Sequence, residues 1–554
     1  MKRSAIPAAV LALALSPAQT GEAPYFVDVA GASGIDFVSM FGGIDKKRYI
    51  LETTGSGAAF FDYDEDGDQD LFLPNGTRLG YDEVQSPSNR LYRNEGDGTF
   101  RNVTAAARLE HHGWGQGAAV SDFDNDGDPD LLITYHGPNL LYRNEGDGTF
   151  SEIGAAAGVA DPRWGASAAF ADYDQDGTND LAVANYVELD LARTPGPGES
   201  PNCFFMGIPV MCGPRGLPPA RSLLYHGRGD GTFEDVSGER SGVAIEAYYG
   251  LGAVWGDVDN DGDVDLYFAN DQMTSNLYRN DGGGRFTDIA LAAGAALNED
   301  GRAQAGMGVD LGDFDNDGWL DIHKTNFAND HNTLYRNMGE EGYFLDLSYR
   351  MGIGEPSYPF LGWGTGFHDF DRDGWLDIFV VNGHVYPEVA SARIQSEYAQ
   401  QPLLFRNREG KRFDEISAGS GPAATAKHAS RAAAFADYDD DGDIDVAVTN
   451  MNEPLSLLRD DSRTENHWIG FRLIGRRSAR DALGARLTLT AGSSTQIREV
   501  KSGASYLAQS DLRVFFGLGA ATRIERLSIR WPTGLVEDLE SPPVDRYSTL
   551  VEPR

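Results

Sequence analysis

One nine-residue pattern recurs seven times in this chain: Asp at positions 1, 3, 5 and 9, with Gly at position 6. The first two copies are Asp62, Asp64, Asp66, Asp70 and Asp122, Asp124, Asp126, Asp130. The third and fourth are Asp172, Asp174, Asp176, Asp180 and Asp257, Asp259, Asp261, Asp265. The last three are Asp313, Asp315, Asp317, Asp321, then Asp369, Asp371, Asp373, Asp377, and finally Asp437, Asp439, Asp441, Asp445. Four carboxylates in one short loop repel each other unless a hard cation neutralises them. Oxygen-only ligands, with a Gly that permits the sharp turn, describe a calcium site. Seven complete copies are far more than an isolated Asp/Gly surface turn would supply, so up to seven structural Ca²⁺ ions are expected.

The loop shares its first half with an EF-hand, but its last acid falls at position 9 and no bidentate Glu follows at 12. A short apolar run follows instead, such as Leu71, Phe72, Leu73 or Val446, Ala447, Val448, so each loop leads into a β-strand. A small-residue run ending in an apolar residue precedes it. After it comes a second phrase, Leu91-Tyr92-Arg93-Asn94 with Gly96-Asp97-Gly98-Thr99-Phe100, repeated with variation in five further units. Its Gly-rich middle reads as a hairpin turn, and a short strand follows each Phe. Four antiparallel strands per unit, with loops 50 to 85 residues apart, make the pattern of a β-propeller blade; seven loops imply seven blades. The seventh unit stops at Asp460 without its last strand. Phe26-Val27-Asp28-Val29 reads like that missing strand and is expected to close the ring.

At 554 residues the chain exceeds one compact core, and its formal charge of -39 excludes nucleic acid or anionic lipid as a general partner. Seven bound Ca²⁺ would bring that charge to roughly -25. A content of 41% hydrophobic and 11% aromatic residues argues for a packed protein rather than a disordered one. Lys2 and Arg3 precede an apolar stretch from Ala5 to Leu15 with small residues after it, so residues 1–18 read as a signal peptide without a lipid-anchor Cys. No stretch is long enough to span a bilayer, and a secreted or periplasmic location follows. The only cysteines, Cys203 and Cys212, are nine positions apart; in an oxidising compartment they form a local disulfide, the alternative being a free pair open to a soft metal.

The units resemble the FG-GAP (VCBS-type) repeats of integrin α-subunits and, more closely, those of the cartilage acidic protein family and its bacterial relatives. From about residue 466 the chain resembles the ASPIC/UnbV domain that follows the propeller in that family. The matching residues include His467-Trp468-Ile469, Gly484-Ala485-Arg486, Gly503-Ala504-Ser505-Tyr506, Phe516-Gly517-Leu518-Gly519 and Arg530-Trp531-Pro532. The resemblance implies an all-β protein: a seven-bladed calcium-binding propeller over residues 24–461 and a small, β-rich, sandwich-like domain over 462–554. The Cys-rich tail of some animal members has no counterpart here, so roles tied to it do not transfer.

Five residues past each loop's last Asp the chain reaches the opposite rim, about 17 Å away. Six units carry Asn there: Asn75, Asn185, Asn270, Asn326, Asn382 and Asn450; the other carries Tyr135 followed by His136. With His384 these residues are a candidate ligand face around one channel mouth, beside insertions at 186–220 and 383–400. The plainer reading is that Asn caps strand ends. In the C-terminal region Arg472, Arg476, Arg477, Arg480 and Arg486 serve either to dock on the acidic propeller or to hold an anionic ligand. The functional expectation is a binding or adhesion module for an extracellular protein or glycan. The alternative is a lyase or hydrolase at the channel mouth, for which no linear catalytic motif is present.

Overall fold

The computed structural model describes residues 24–392, 394, 396–540 and 542–554; the signal-peptide segment lies outside the described residues. Seven four-stranded antiparallel units follow one another along the chain. In the second unit the strands are Gly115–Ser121, Asp130–Tyr135, Leu140–Asn144 and Phe150–Glu152, and the acid loop joins the first two. The first strand is made of small residues because it lies innermost. There each unit's first strand packs against the next, and the seventh unit's Ser430–Ala436 packs against the first unit's Ala58–Phe61. The ring is therefore closed.

In the seventh unit the fourth strand comes from the other end of the chain. Phe26–Asp28 pairs antiparallel with Ser456–Asp460, Phe26 opposite Asp460 and Asp28 opposite Leu458. Phe26 is fully buried, with its ring 5.6 Å from that of Phe370 and 5.5 Å from that of Phe379 in the neighbouring unit. The seam is thus packed as well as hydrogen-bonded, which leaves no open edge there.

Residues after 462 form a three-stranded sheet (Val514–Gly519, His467–Ile474, Tyr547–Val551) and a four-stranded one (Ser494–Glu499, Arg486–Ala491, Arg526–Arg530, Val536–Leu539). Alternating residues of both, among them Phe471, Leu487, Phe516 and Trp531, share one core, which continues into Phe123, Phe170 and Phe233 of the ring. No helix is long and apolar enough to cross a membrane among the described residues.

The axial channel is filled. Residues 502–510 of the C-terminal domain enter it and bond to every unit. Ala508–Gln509 pairs in parallel with Ala58–Ala59, and the Leu507 carbonyl accepts from Ala118 N–H. Leu507 N–H donates to Ser167 Oγ, Ala504 N–H to the Ala253 carbonyl, and Val309 N–H to the Ser505 carbonyl. Ser505 Oγ accepts from Thr365 N–H at 3.0 Å and donates to the Ala433 carbonyl at 2.8 Å. A Cβ on Gly57 would sit 2.4 Å from the Leu507 carbonyl oxygen, so the first strand must be bare there. Gly503, Ala504, Ser505 and Leu507 all have positive φ (76°, 71°, 56° and 55°), a costly run that persists only because its surroundings over-determine it.

Candidate functional site

Each acid loop is built by the same bonds. The residue-6 glycine, at φ between 89° and 111° in all seven copies, points its N–H at the position-1 carboxylate. The distances run from 2.8 Å (Gly374 to Asp369) to 3.2 Å (Gly67 to Asp62). Position 9 is anchored twice: Asp130 Oδ2 accepts from Phe123 N–H at 3.1 Å and Oδ1 from Asn144 N–H at 2.8 Å, and the other six units repeat the pair. The position-9 carboxylates are 0–1% exposed.

Crowding and burial show in the protonation of these acids. Burial, reinforced by neighbouring carboxylates, pushes Asp62 up to about 6, Asp122 to about 8, Asp313 to about 7 and Asp437 to about 8. Asp70 is pushed up to about 9 by burial, and Asp130, Asp321 and Asp445 well above the usual range. Inward carboxylate oxygens have no hydrogen-bond partner: Oδ1 of Asp62 and Asp257 at position 1, and of Asp64, Asp124, Asp174, Asp315 and Asp371 at position 3. In the first four loops three acid oxygens gather within 4.8 Å of one another. Orphaned, mutually facing, all-oxygen donors that resist ionisation together fit a divalent hard cation.

The second repeated phrase has a role that its residues alone did not disclose. Its Asn side chain stitches neighbouring units by donating Nδ2–H to the position-2 carbonyl of the preceding loop. Asn144 reaches Tyr63 at 2.8 Å, Asn280 reaches Tyr173, Asn337 reaches Val258, Asn407 reaches Phe314, and Asn94 reaches Tyr438 across the seam. The third unit, with Gly227, and the seventh, with Asp460, have no Asn at this position.

The C-terminal domain rests on the acid-loop face. Arg472 Nη1 lies 3.6 Å from Asp62 Oδ2, and the Arg530 guanidinium pairs with Asp257. Arg486 donates to the Asp257 carbonyl and to Glu499, and Arg513 bridges Asp440 and the Asp437 carbonyl at 2.6 Å each. Tyr547 Oη donates to Asp437 Oδ2 at 2.9 Å. Docking accounts for Arg472 and Arg486; backbone N–H groups of Arg476 and Arg477 instead hold the Glu552 carboxylate, and Arg480 N–H donates to Asn125.

At the opposite rim the six Asn side chains do not face outward. All are buried; five hold the chain that returns to their own unit, and Asn75 holds the N-terminal segment. Asn185 donates to the Arg221 carbonyl, Asn270 to Thr274, Asn326 to His331, Asn382 to Gln401 and Asn450 to Pro454. Asn75 accepts from Met40 N–H and donates to the Val38 carbonyl. They are strand-end caps, because a turn leaving a strand needs carbonyl partners more than the rim needs exposed amides. His136 packs edge-on against Trp164, and burial holds its imidazole below the usual range. His384 is fully buried among Phe205, Phe327 and Tyr386; its Nδ1 accepts from Tyr386 N–H and burial pushes its pKa down to about 3.

The mouth that these residues were expected to ring is covered. The Cys203–Cys212 disulfide is formed, and Val210, Met211, Leu217, Val385 and Tyr386 from the two insertions join Trp164, Tyr186 and Tyr249 in one buried cluster with Tyr506 and Leu507 of the axial segment. Arg431, fully buried, ties the layers together by donating to the carbonyls of Thr53, Gly383 and Ser430, with its guanidinium 4.2 Å from the Trp363 ring centre.

Comparison with known proteins agrees with this architecture. FG-GAP-like repeats match residues 62–133, 122–183, 216–268 and 257–323, and an ASPIC and UnbV model matches 475–554. Cartilage acidic protein 1 is 28% identical over 319 residues in Mus musculus and 29% over 320 in Homo sapiens. These stretches cover 55% of this chain and 45% and 44% of those proteins, so the chain spans about half the length of the curated relatives it matches. Among solved structures, BBS1N in complex with ARL6DN aligns with TM-score 0.41 at 10% identity, covering 80% of this chain and all of that one. YCF48 bound to D1 peptide aligns with TM-score 0.39 at 11% identity, covering 77% of this chain and all of that one. Likenesses this distant carry nothing about function. The chain is an FG-GAP-repeat propeller with a C-terminal ASPIC/UnbV domain, homologous over about half its length to cartilage acidic protein 1.

Proposed function

We propose that this chain is an exported binding module for an extracellular protein or glycan, with seven structural Ca²⁺ ions locking the ring to its C-terminal domain. The observation that carries this reading is the set of orphaned inward oxygens in the acid loops, on the face where the C-terminal domain meets Asp62, Asp257 and Asp437. An ion held there neutralises repelling carboxylates and fixes the loop beside the docked domain. With free calcium at ten times Kd, each site would add about 1.4 kcal/mol, and seven would add on the order of 10 kcal/mol if the fold melts as one unit.

The surface left to meet a partner lies on the insertion side, where the disulfide-pinned hairpin exposes Phe204 (47%) and Met206 (63%). The enzyme alternative placed its active site at the channel mouth, where Asn382 and His384 are both buried. The test uses the full chain in calcium and in chelator, screened against glycans and secreted proteins beside a hydrolase and lyase panel, with bound calcium measured by elemental analysis. Calcium-dependent binding that is lost in a Phe204→Ala, Met206→Ala double variant supports the reading. Turnover of any panel substrate would displace it, and almost no bound calcium would remove its metal part.

A further inference from the structure

In six units the residue before the third strand's last position is Arg: Arg93, Arg143, Arg279, Arg336, Arg406 and Arg459. Arg336 and Arg406 pair with the position-3 acids Asp315 and Asp371, whereas Arg93, Arg143, Arg279 and Arg459 bond to the acid two residues on (Glu95, Glu145, Asp281 and Asp461). The third unit alone has a histidine there, His226. Its Nδ1 lies 3.0 Å from Asp180 Oδ1 and 3.6 Å from Asp174 Oδ2. These three residues form a set that could hold a metal ion; it shares Asp174 with the Asp172, Asp174 and Asp176 set and takes Asp180 from position 9 of the same loop.

We propose that the third loop carries a second cation position, Asp174–Asp180–His226, beside the loop's own proposed calcium, and that this position takes a transition-metal divalent ion such as zinc. The inference rests on the calcium reading in one respect: Asp174 and Asp180 belong to the calcium loop as well, so their carboxylates would bridge the two ions.

The spacing favours a small ion. Ligand atoms around an ion with bonds of about 2.0–2.1 Å are about 3.0 Å apart in an octahedral site and about 3.4 Å apart in a tetrahedral one. His226 Nδ1 hydrogen-bonds Asp180 Oδ1 at 3.0 Å and lies 3.6 Å from Asp174 Oδ2, so a small ion would replace the shared proton with little movement of the ligand atoms. The ligand types point the same way, because an imidazole nitrogen favours zinc and its neighbours over calcium, which takes oxygen alone. Support for the ligands is in place. Asp180, with a side chain 0% exposed, is oriented by N–H groups of Gly227 and Tyr173. Asp174 uses Oδ2 toward His226, and its Oδ1 has no partner, so one oxygen remains for the inner set. The His226 side chain is 24% exposed, which gives an ion a way in and leaves room for water to complete the shell. The plain alternative is that His226 is a counter-charge in place of Arg, and an Arg variant separates the two.

The experiment holds the full chain in millimolar calcium and titrates ZnCl₂ against a chromophoric chelator, with calcium content read in parallel by elemental analysis. One zinc per chain is expected in the wild type. His226→Arg, which installs the residue of the other six units, should keep the melting temperature and calcium content and weaken that zinc at least ~100-fold, more than the loss of an outer partner does. His226→Gln should also lose it, and serves if the Arg variant does not fold. His467→Gln, at an exposed imidazole paired with Asp545, should not. Zinc retained by His226→Arg, or no stoichiometric zinc in the wild type, overturns the proposal. Negligible calcium with zinc still bound and still dependent on His226 would overturn the calcium reading and leave this one standing.

Discussion

Tyr506→Ala should destabilise the ring and the C-terminal domain together. Tyr506 is fully buried on the propeller axis, with its ring 4.7 Å from that of Trp363. Truncating a buried aromatic residue costs ~3–5 kcal/mol. The flanking Ala504, Ser505 and Leu507, at positive φ, add strain that the native contacts hold in place. How that cost appears depends on cooperativity. Unfolding entropy is about 2.1 cal/mol/K per residue, so a loss of 3–5 kcal/mol spread over the whole described chain lowers one shared transition by ~3–5 °C. If the C-terminal domain of roughly 90 residues melted alone, the same loss would lower its transition by ~15–25 °C and leave the ring untouched. Differential scanning calorimetry in calcium separates the two. Tyr506→Phe is the control: the Gly55 amide approaches the hydroxyl, but the hydroxyl completes no hydrogen bond, so its removal should be neutral or slightly stabilising. A ring transition unmoved by Tyr506→Ala would refute the view that the axial segment couples the two domains.

Two further outcomes follow from the loops and their stitches. In chelator, stability should fall as pH rises from about 4 through the window in which Asp62 (about 6), Asp313 (about 7) and Asp122 (about 8) lose protons. The folded chain then binds protons that the unfolded chain has released, and the melting curve in calcium should be nearly flat across that range; parallel curves would refute it. Asn144→Ala should cost ~1–3 kcal/mol in urea unfolding, because it leaves the buried Tyr63 and Pro129 carbonyls without their donor.

Much of this architecture was legible because the loops are local. Asp at fixed spacing with a Gly at position 6 specifies a turn through its own hydrogen bonds, and the strands on either side follow from alternation and length. The Phe26–Asp28 segment was legible for a different reason, being a fragment of a phrase that the seventh unit lacks. What the axis contains was not legible. Gly503-Ala504-Ser505-Tyr506 stood out as a family phrase without a role, because the partners of the segment it belongs to, residues 502–510, are seven separate first strands, each contributing one or two bonds. The rim kept two readings, ligand face or strand-end cap, for a related reason. An Asn at a strand end reads the same from sequence whether its amide faces solvent or its own turn, and burial decided for the turn. The stitch was invisible because its acceptor is a backbone carbonyl in the preceding unit, for which no residue type is required.

The two domains and the proposed ions divide the same carboxylates between them without conflict. At position 1 the outer oxygen, Oδ2, receives the loop glycine and then whatever the C-terminal domain offers: Arg472 at Asp62, Arg530 at Asp257, Tyr547 at Asp437. Oδ1 of Asp62 and of Asp257 has no partner at all. At Asp62 and Asp257 one oxygen is thus committed to the interface and the other to the loop interior, so filling the interior does not displace the docking groups. Without an ion the outer cations are the main neutralising charge on these acids, and each must offset two repelling neighbours as well as its own partner. A chain depleted of metal should therefore lean more heavily on Arg472, Arg513 and Arg530 than a loaded one does. Domain docking and ion binding would then be coupled through the single carboxylate they share in the first, fourth and seventh loops, which makes the acid-loop face the joint of the molecule rather than one end of it.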